Sequence, residues 1–431
     1  MFDRTDPAYS AYIRILEAEL IPATGCTEPI AIAYGAAKVR QALGALPERC
    51  RVECSGNIIK NVKSVVVPNT GYLRGIEAAA AAGLVAGDPD VQLQVISHVA
   101  EKDREAIRAY RDSHPMEVVP YPGDKVFYIA ISGWAGTDSA RVVIEDFHTN
   151  ITRIEKNGAC LFALEGDCPD QDEGEEAPKY DLLSVERIID FADHVDLFDV
   201  EVVLDRQIAY NTAISQEGLT HGWGARIGQT LLEAQGNGVR VRAKAAAAAG
   251  SDARMSGCEM PVVIVSGSGN QGMTASLPVI EYAKELNVGR EKLLRALVVS
   301  NLVTIHQKTS IGRLSAFCGA VSAGCGAAAG IAYLHGDGYE VIAHTIVNTL
   351  AILSGMVCDG AKPSCAGKIA MAVEAGLMGY EMYTHGKNQF YSGEGIVKKG
   401  VDNTIRTVGR MAREGMRDTD REILDIMTES C

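Results

Sequence analysis

LSAFCGAVSAGCGAAAGIAYL, residues 314–334, is the stretch whose reading decides the fold. It runs 21 residues without a charged side chain, long enough to cross a bilayer as a helix. Val341–Val357 is nearly as apolar, so the two together could make a membrane hairpin. The composition argues for another solution. Residues 314–334 are built mainly of Gly, Ala, Ser and Cys, with few Leu or Ile, and no aromatic and basic anchors flank them. Small side chains let helices pack closely, so the expectation is a buried helix pair in a soluble bundle, with no membrane partner.

Working outward, the chain has 431 residues, enough for two or three domains. At 47 % hydrophobic and 22 % charged residues it reads as an ordinary globular protein. The net charge of −14 comes with no basic tract or aromatic–basic interleaving, which argues against a nucleic-acid partner. The start, MFDRTDPAYSAYIRILEAEL, lacks the basic n-region and apolar run of a signal peptide. A cytoplasmic, reducing compartment is therefore expected. The odd count of 11 scattered cysteines then favours free thiols over disulfides.

Three regions differ in texture, and the fold class expected is α+β: a largely α-helical catalytic domain carrying an inserted, smaller α+β domain. Residues 1–88 open with a helix over Pro7–Glu19, the loop LIPATGCTEP and a second helix over Pro29–Leu43. Residues 51–67, VECSGNIIKNVKSVVV and their neighbours, read as strands, and an Ala-rich helix follows PNTGYLRG. Residues 89–180 form the inserted domain. VQLQVIS alternates as a strand, EKDREAIRAYRDS reads as a helix, and KVFYIAISGW with SARVVIEDF predicts a hairpin around AGTD. HTNITRIEKNG adds a third strand, and the acidic EGDCPDQDEGEEAPK reads as a surface loop or linker. Residues 181–431 are mostly helical and punctuated by Gly loops.

The thiols carry the chemistry. In SGMVCDGAKPSCAGK (354–368), Gly and Pro turn the chain so that Cys358 and Cys365 can converge, and Cys318 lies forty residues upstream. Each could be a small buried hydrophobe, as Cys325 within its apolar helix is expected to be. As a ligand set, the spacing lacks the C-x₂₋₄-C knuckles of structural zinc. Thiolates from scattered loops suit an iron–sulfur cluster better, and the C-x₂-C-x₂-C run of a ferredoxin is missing. Three thiolates leave one iron of a [4Fe–4S] cluster open as a Lewis acid.

GCTEPIAIAYGAA (25–37), SGSGNQGMTASLPV (266–279), KTSIGRLSAFCGA (308–320) and MVCDGAKPSCAGK (356–368) together resemble the L-cysteine desulfidase family, itself related to the iron–sulfur L-serine dehydratases. The resemblance runs over roughly residues 20–85 and 205–430. It implies a [4Fe–4S] lyase that degrades L-cysteine to pyruvate, ammonia and hydrogen sulfide. Carried over residue by residue, it implies Cys318, Cys358 and Cys365 as cluster ligands and Cys26 as proton acceptor. A rival assignment places Cys26 among the ligands instead of Cys365. The terminal Cys431 could fold back onto the open iron or be a free tail thiol. A small amino-acid substrate and a homodimer complete the expectation.

Local sequence supplies further candidates. Cys26 precedes a helix start, where partial positive charge lowers a thiol pKa. Two Gly loops, SGSGNQG and PNTG, each lead toward a helix whose free N–H groups could cradle a substrate carboxylate. They nominate Ser268, Asn270 and Gln271, and less strongly Asn69 and Thr70, as substrate contacts. Lys308 and Arg313 could neutralise cluster or substrate. His306 could serve as an acid–base group, whereas His344 reads as a core histidine. The rivals are an L-serine dehydratase of the same cluster type, a non-catalytic thiol or metal sensor, and a pyridoxal-phosphate lyase. The last lacks a convincing Schiff-base lysine.

Overall fold

A computed structural model of the protein describes residues 4–164 and 178–429. The decisive stretch is a helix, Gly319–Leu334, with every residue from Ala320 to Leu334 buried. Helices Gly269–Glu285, Arg290–Ile311, Tyr339–Ile352 and Cys365–Thr384 surround it. Its small residues explain the packing. A Cβ at Gly324 would stand 2.5 Å from the Ala372 carbonyl oxygen, and one at Gly326 would stand 2.5 Å from that of Ser300. The backbones of neighbouring helices thus touch where a side chain would hold them apart. Apolar burial, about 1.5–3 kcal/mol for each large aliphatic side chain, is concentrated here on Leu297, Leu302, Val321, Ile331 and Ile346. Among the described residues no helix is long and apolar enough to cross a membrane.

The fold is α+β, with one six-stranded sheet and one short two-stranded pair. The strands are β1 (Pro22–Thr24), β2 (Arg49–Cys54), β3 (Met116–Pro120), β4 (Tyr128–Ala135), β5 (Asp138–Glu145), β6 (Ile151–Lys156), β7 (Ala159–Ala163) and β8 (Pro261–Val263). The sheet order is β3-β2-β4-β5-β6-β7, with β2 and β3 parallel and the other neighbours antiparallel. It therefore draws β2 from the first 88 residues. Helix Thr27–Leu43 joins the two regions, packing on β4 and β5 and on helix Gly75–Ala86.

The small pair β1–β8 positions the site. Pro22 lies opposite Val263 and Thr24 opposite Pro261, and the Ile264 amide donates to Ile21 O. This antiparallel clamp sets the loop after β1, which carries Cys26, beside the loop after β8, which carries Ser268.

The hairpin β4–β5, the strand β6 and helix Glu101–Ser113 stand where the sequence places them. Two segments differ. Residues 51–67 are strand only to Cys54; Gly56–Val62 is a helix. Ile58 and Val62 are its buried apolar residues, a spacing of four that suits a helix better than a pleated strand. VQLQVIS is a 3-10 turn at Gln92–Gln94 and not a strand; Leu93, Val95 and Ile96 are its buried side chains, and burial of the adjacent Val95 and Ile96 breaks the alternation of a half-buried strand. The expectation of reduced thiols also needs correcting at one point. Cys160, on the edge strand β7, is disulfide-bonded, whereas the described cysteines 26, 50, 54, 258, 318, 325, 358 and 365 are free. Most of the acidic segment 165–179, and Cys431, lie outside the described residues.

Candidate active site

Backbone pairing brings two of the three late thiols together. The Cys318 amide donates to Met356 O at 3.0 Å, the Cys358 amide donates to Ala316 O at 2.7 Å, and Phe317 faces Val357 across an antiparallel bridge. Cys318 is also the N-cap of helix Gly319–Leu334. Cys365 begins the helix Cys365–Thr384, and its thiol points to Gly360 O at 3.8 Å. Cys26 caps the helix Thr27–Leu43. All four thiols line one cavity of ≈ 100 Å³, together with Glu28, Arg254, Ser268, Asn270, Gln271 and Lys308.

Cys318 and Cys358 act on each other's acidity. Hydrogen bonding from Cys318 lowers the Cys358 thiol toward about 6 against the opposing effect of burial, with Lys60 assisting. Cys318, the donor in that bond, is raised well above the usual thiol range, by the bond first and by burial second. Burial also raises Cys365. Lys60 holds this corner from behind: its ammonium donates to Cys358 O at 3.4 Å and pairs with Asp420 at 2.5 Å. Asp420 in turn accepts from the Ala316 amide at 3.0 Å.

Among the described residues no three His, Cys, Asp or Glu side chains converge as the ligands of a single metal ion. A single ion needs its thiolates about 2.3 Å from one centre. A [4Fe–4S] cluster presents a separate iron to each thiolate and so accommodates a wider set. Three thiols on one cavity, two of them in contact, one biased toward thiolate and a buried ammonium nearby, form a donor set suited to that group.

The opposite wall is the N-terminus of helix Gly269–Glu285. Ser266 and Gly267 take positive φ of 48° and 78°, and Val265 and Ser268 exchange backbone hydrogen bonds, so the loop reverses directly into the helix. Asn270 accepts from Arg254 at 3.1 Å. Gln271 Oε1 is buried without a hydrogen-bond partner. Lys308 is buried, donates to Arg313 O at 3.4 Å, and is lowered to about 8 by burial, which the fields of Cys358 and Cys318 partly offset.

Cys26 departs from expectation in its acidity. It sits at the helix start as foreseen, yet burial and the Glu28 carboxylate raise its thiol well above the usual range. The thiol donates to Glu28 Oε2 at 3.0 Å. Burial pushes the Glu28 carboxyl up, but His148 and the Cys26 thiol outweigh it and hold the group at about 2. His148 Nε2 lies 3.9 Å from Glu28 Oε1, beyond the reach of a direct hydrogen bond. At rest this corner is a thiol bonded to a carboxylate, and local helix charge loses to desolvation.

Other candidates lie elsewhere. Asn69 donates to Ile96 O at 2.9 Å, and Thr70 donates to Val67 O while accepting from the Leu73 amide, so one ties the loop to a distant segment, the other fastens the loop itself, and neither lines the cavity. His306 pairs with Asp402 at 2.7 Å outside the cavity. His344 is half-buried and stacks on Tyr383 at 4.3 Å. Cys325 is fully buried in the core. Arg313 does line the cavity, but it is paired with Glu19 at 2.7 Å and lies over the Phe147 ring.

Sequence reasoning missed Glu28, Arg254 and His148. Glu28 was visible two residues from Cys26, and Arg254 as a cation after an Ala-rich helical run. His148 had no local signal. It approaches Glu28 from the loop between β5 and β6, so the sheet region backs a residue that lines the cavity.

The family model for the serine dehydratase alpha chain matches residues 90–425, more than half of the chain. The chain belongs to this iron–sulfur serine dehydratase-like family of lyases. It is similar over nearly its whole length to curated UPF0597 proteins. That of Desulfitobacterium hafniense is 57 % identical, covering 100 % of this chain and 99 % of the relative. Those of Lachnoclostridium phytofermentans and Finegoldia magna are 52 % and 47 % identical, each covering 97 % of this chain and 99 % of the relative.

Proposed function

We propose that the protein is a [4Fe–4S] L-cysteine lyase acting by α,β-elimination. L-Cysteine and one water become pyruvate, ammonia and hydrogen sulfide. The observation that carries this reading is the shared cavity of Cys26, Cys318, Cys358 and Cys365 facing a helix N-terminus. Cys318, Cys358 and Cys365 would hold the cluster, which when bound supplies an open iron as Lewis acid.

The chain's own residues do the rest. Ser268, Asn270 and Gln271 orient the amino acid at the helix N-terminus, and Lys308 offsets thiolate charge. The Cys26–Glu28 pair exchanges the proton at Cα. Because the thiol rests protonated, Sγ accepts the substrate proton as its own passes to the carboxylate oxygen beside it. Enclosure keeps bulk water from competing with this transfer. The reading includes a cytoplasmic homodimer taking a small amino acid.

Iron and sulfide analysis on oxygen-free protein, combined with turnover, tests it. About four irons per chain are expected, as a cubane requires, with sulfide and pyruvate released together from L-cysteine. Cys26→Ser should retain the iron and lose turnover; loss of iron would make Cys26 a ligand. A second reading, favoured by the serine dehydratase description of the family, takes L-serine and releases water from Cβ. Pyruvate from serine and none from cysteine would select it, and bound iron without turnover of either would leave a sensor.

A further inference from the structure

We propose that Arg254 and the first turn of helix Gly269–Glu285 form a recognition site for the paired carboxylate and ammonium of an α-amino acid. This rests on reading the cavity as an amino-acid lyase site.

Arg254 stands at the end of helix Val239–Met255 and is 4 % exposed. Its guanidinium donates to two neutral oxygens, Gly25 O at 3.0 Å and Asn270 Oδ1 at 3.1 Å. It makes no ion pair with a described carboxylate, whereas Arg240 is paired with Glu374 and Glu381 and Arg313 with Glu19. Burying a charge without a counter-ion is unfavourable even after relaxation.

The surroundings add to the imbalance. A Cβ on Gly269 would lie 2.5 Å from Arg254 Nε, so the guanidinium rests directly against the helix start. That end carries roughly half a positive charge and unpaired N–H groups. Two sources of positive potential therefore face one cavity, an arrangement that a bound carboxylate would stabilise. Gln271 Oε1 supplies the complement: a buried acceptor without a donor, on the same helix turn. An ammonium would satisfy it. Together they suit an amino acid better than a simple carboxylate or phosphate.

The competing role for Arg254 is counter-charge to the thiols, since it also lowers Cys26 and Cys365. Lys308 already occupies that position toward Cys318 and Cys358.

Calorimetric titration with L-alanine separates these roles. L-Alanine carries both α groups and has no leaving group at Cβ. It should bind the full chain, both iron-loaded and iron-free, and ethylamine, lacking the carboxylate, should not. Arg254→Gln should weaken L-alanine at least about tenfold with the iron content unchanged, and in turnover should raise KM more than it lowers kcat. Equal binding of L-alanine and ethylamine by the unaltered protein would overturn the proposal, a comparison that needs no variant to fold. Unchanged L-alanine affinity in Arg254→Gln would also overturn it, as would lower affinity arising only in step with lost iron. Arg254-dependent binding without sulfide release from cysteine would keep this site and remove the cysteine-lyase reading. Sulfide release with no change of KM in Arg254→Gln would do the reverse.

Discussion

Two loops that look alike in sequence behave differently in the fold. SGSGNQG (266–272) and PNTG (68–71) are both short, polar and Gly-containing, and each precedes a helix. The first enters its helix at once, with Ser268 as N-cap, and its Asn270 and Gln271 face the cavity. The second is separated from its helix, which starts only at Gly75, and its side chains are used up within the loop and on Ile96. Its Pro68 ring lies behind Gly25, where a Cβ would meet it at 2.6 Å. One loop presents unsatisfied polar groups to a cavity; the other supports from behind the strand end that carries Cys26. Polar composition marks both as loops, and only free hydrogen-bonding capacity marks one as a site.

Substitutions can break or sharpen this contrast. The largest effect is expected from Cys358→Ala on the wall opposite the 266–272 loop. It removes the most acidic of the late thiols, and iron analysis should show the cluster lost and turnover abolished; full iron content would break the proposed ligand set. Next comes the direct comparison of the two loops. Asn270→Ala should raise KM about tenfold or more, since hydrogen bonds to charged groups contribute about 1.5–3 kcal/mol. Asn69→Ala should leave kcat/KM near that of the parent and lower stability by about 1–3 kcal/mol, because Ile96 O would be left buried and unpaired. Denaturant melts and steady-state kinetics on the pair read both quantities, and an exchange of the two outcomes would reverse the assignment of the loops. The smallest effect belongs to Cys325→Ala. This thiol lies in the core away from the cavity, so iron content should stay the same and stability should fall by only about 1 kcal/mol.

Much of the helical framework was legible from residues alone. Ala and Gly spacing in 314–334 read as close helix contact, and that is how the stretch packs. The errors came where short apolar runs carry two periodicities. In 56–62 and 92–99 the alternation is real on paper, but in the first Ile58 and Val62, four apart, are the buried apolar residues, and in the second the adjacent Val95 and Ile96 are both buried. The four cavity thiols could be nominated, although the acidity of Cys26 could not. Its helix start predicts a lowered pKa, and the depth of burial and the neighbouring Glu28 reverse the sign.

The amino-acid sequence by itself determined a closely packed helical bundle with an added sheet, a set of thiols in Gly- and Pro-turned loops, and a polar Gly loop leading into a helix. Those follow from local periodicity, side-chain size and backbone restriction, which act over a few residues. Tertiary structure alone decided that Arg254 and Glu28 meet at the same cavity with His148 beside Glu28, and that Asn69 and Thr70 do not line it. Charge burial and leftover hydrogen-bonding capacity are properties of what surrounds a group, and those surroundings exist only once distant segments have packed.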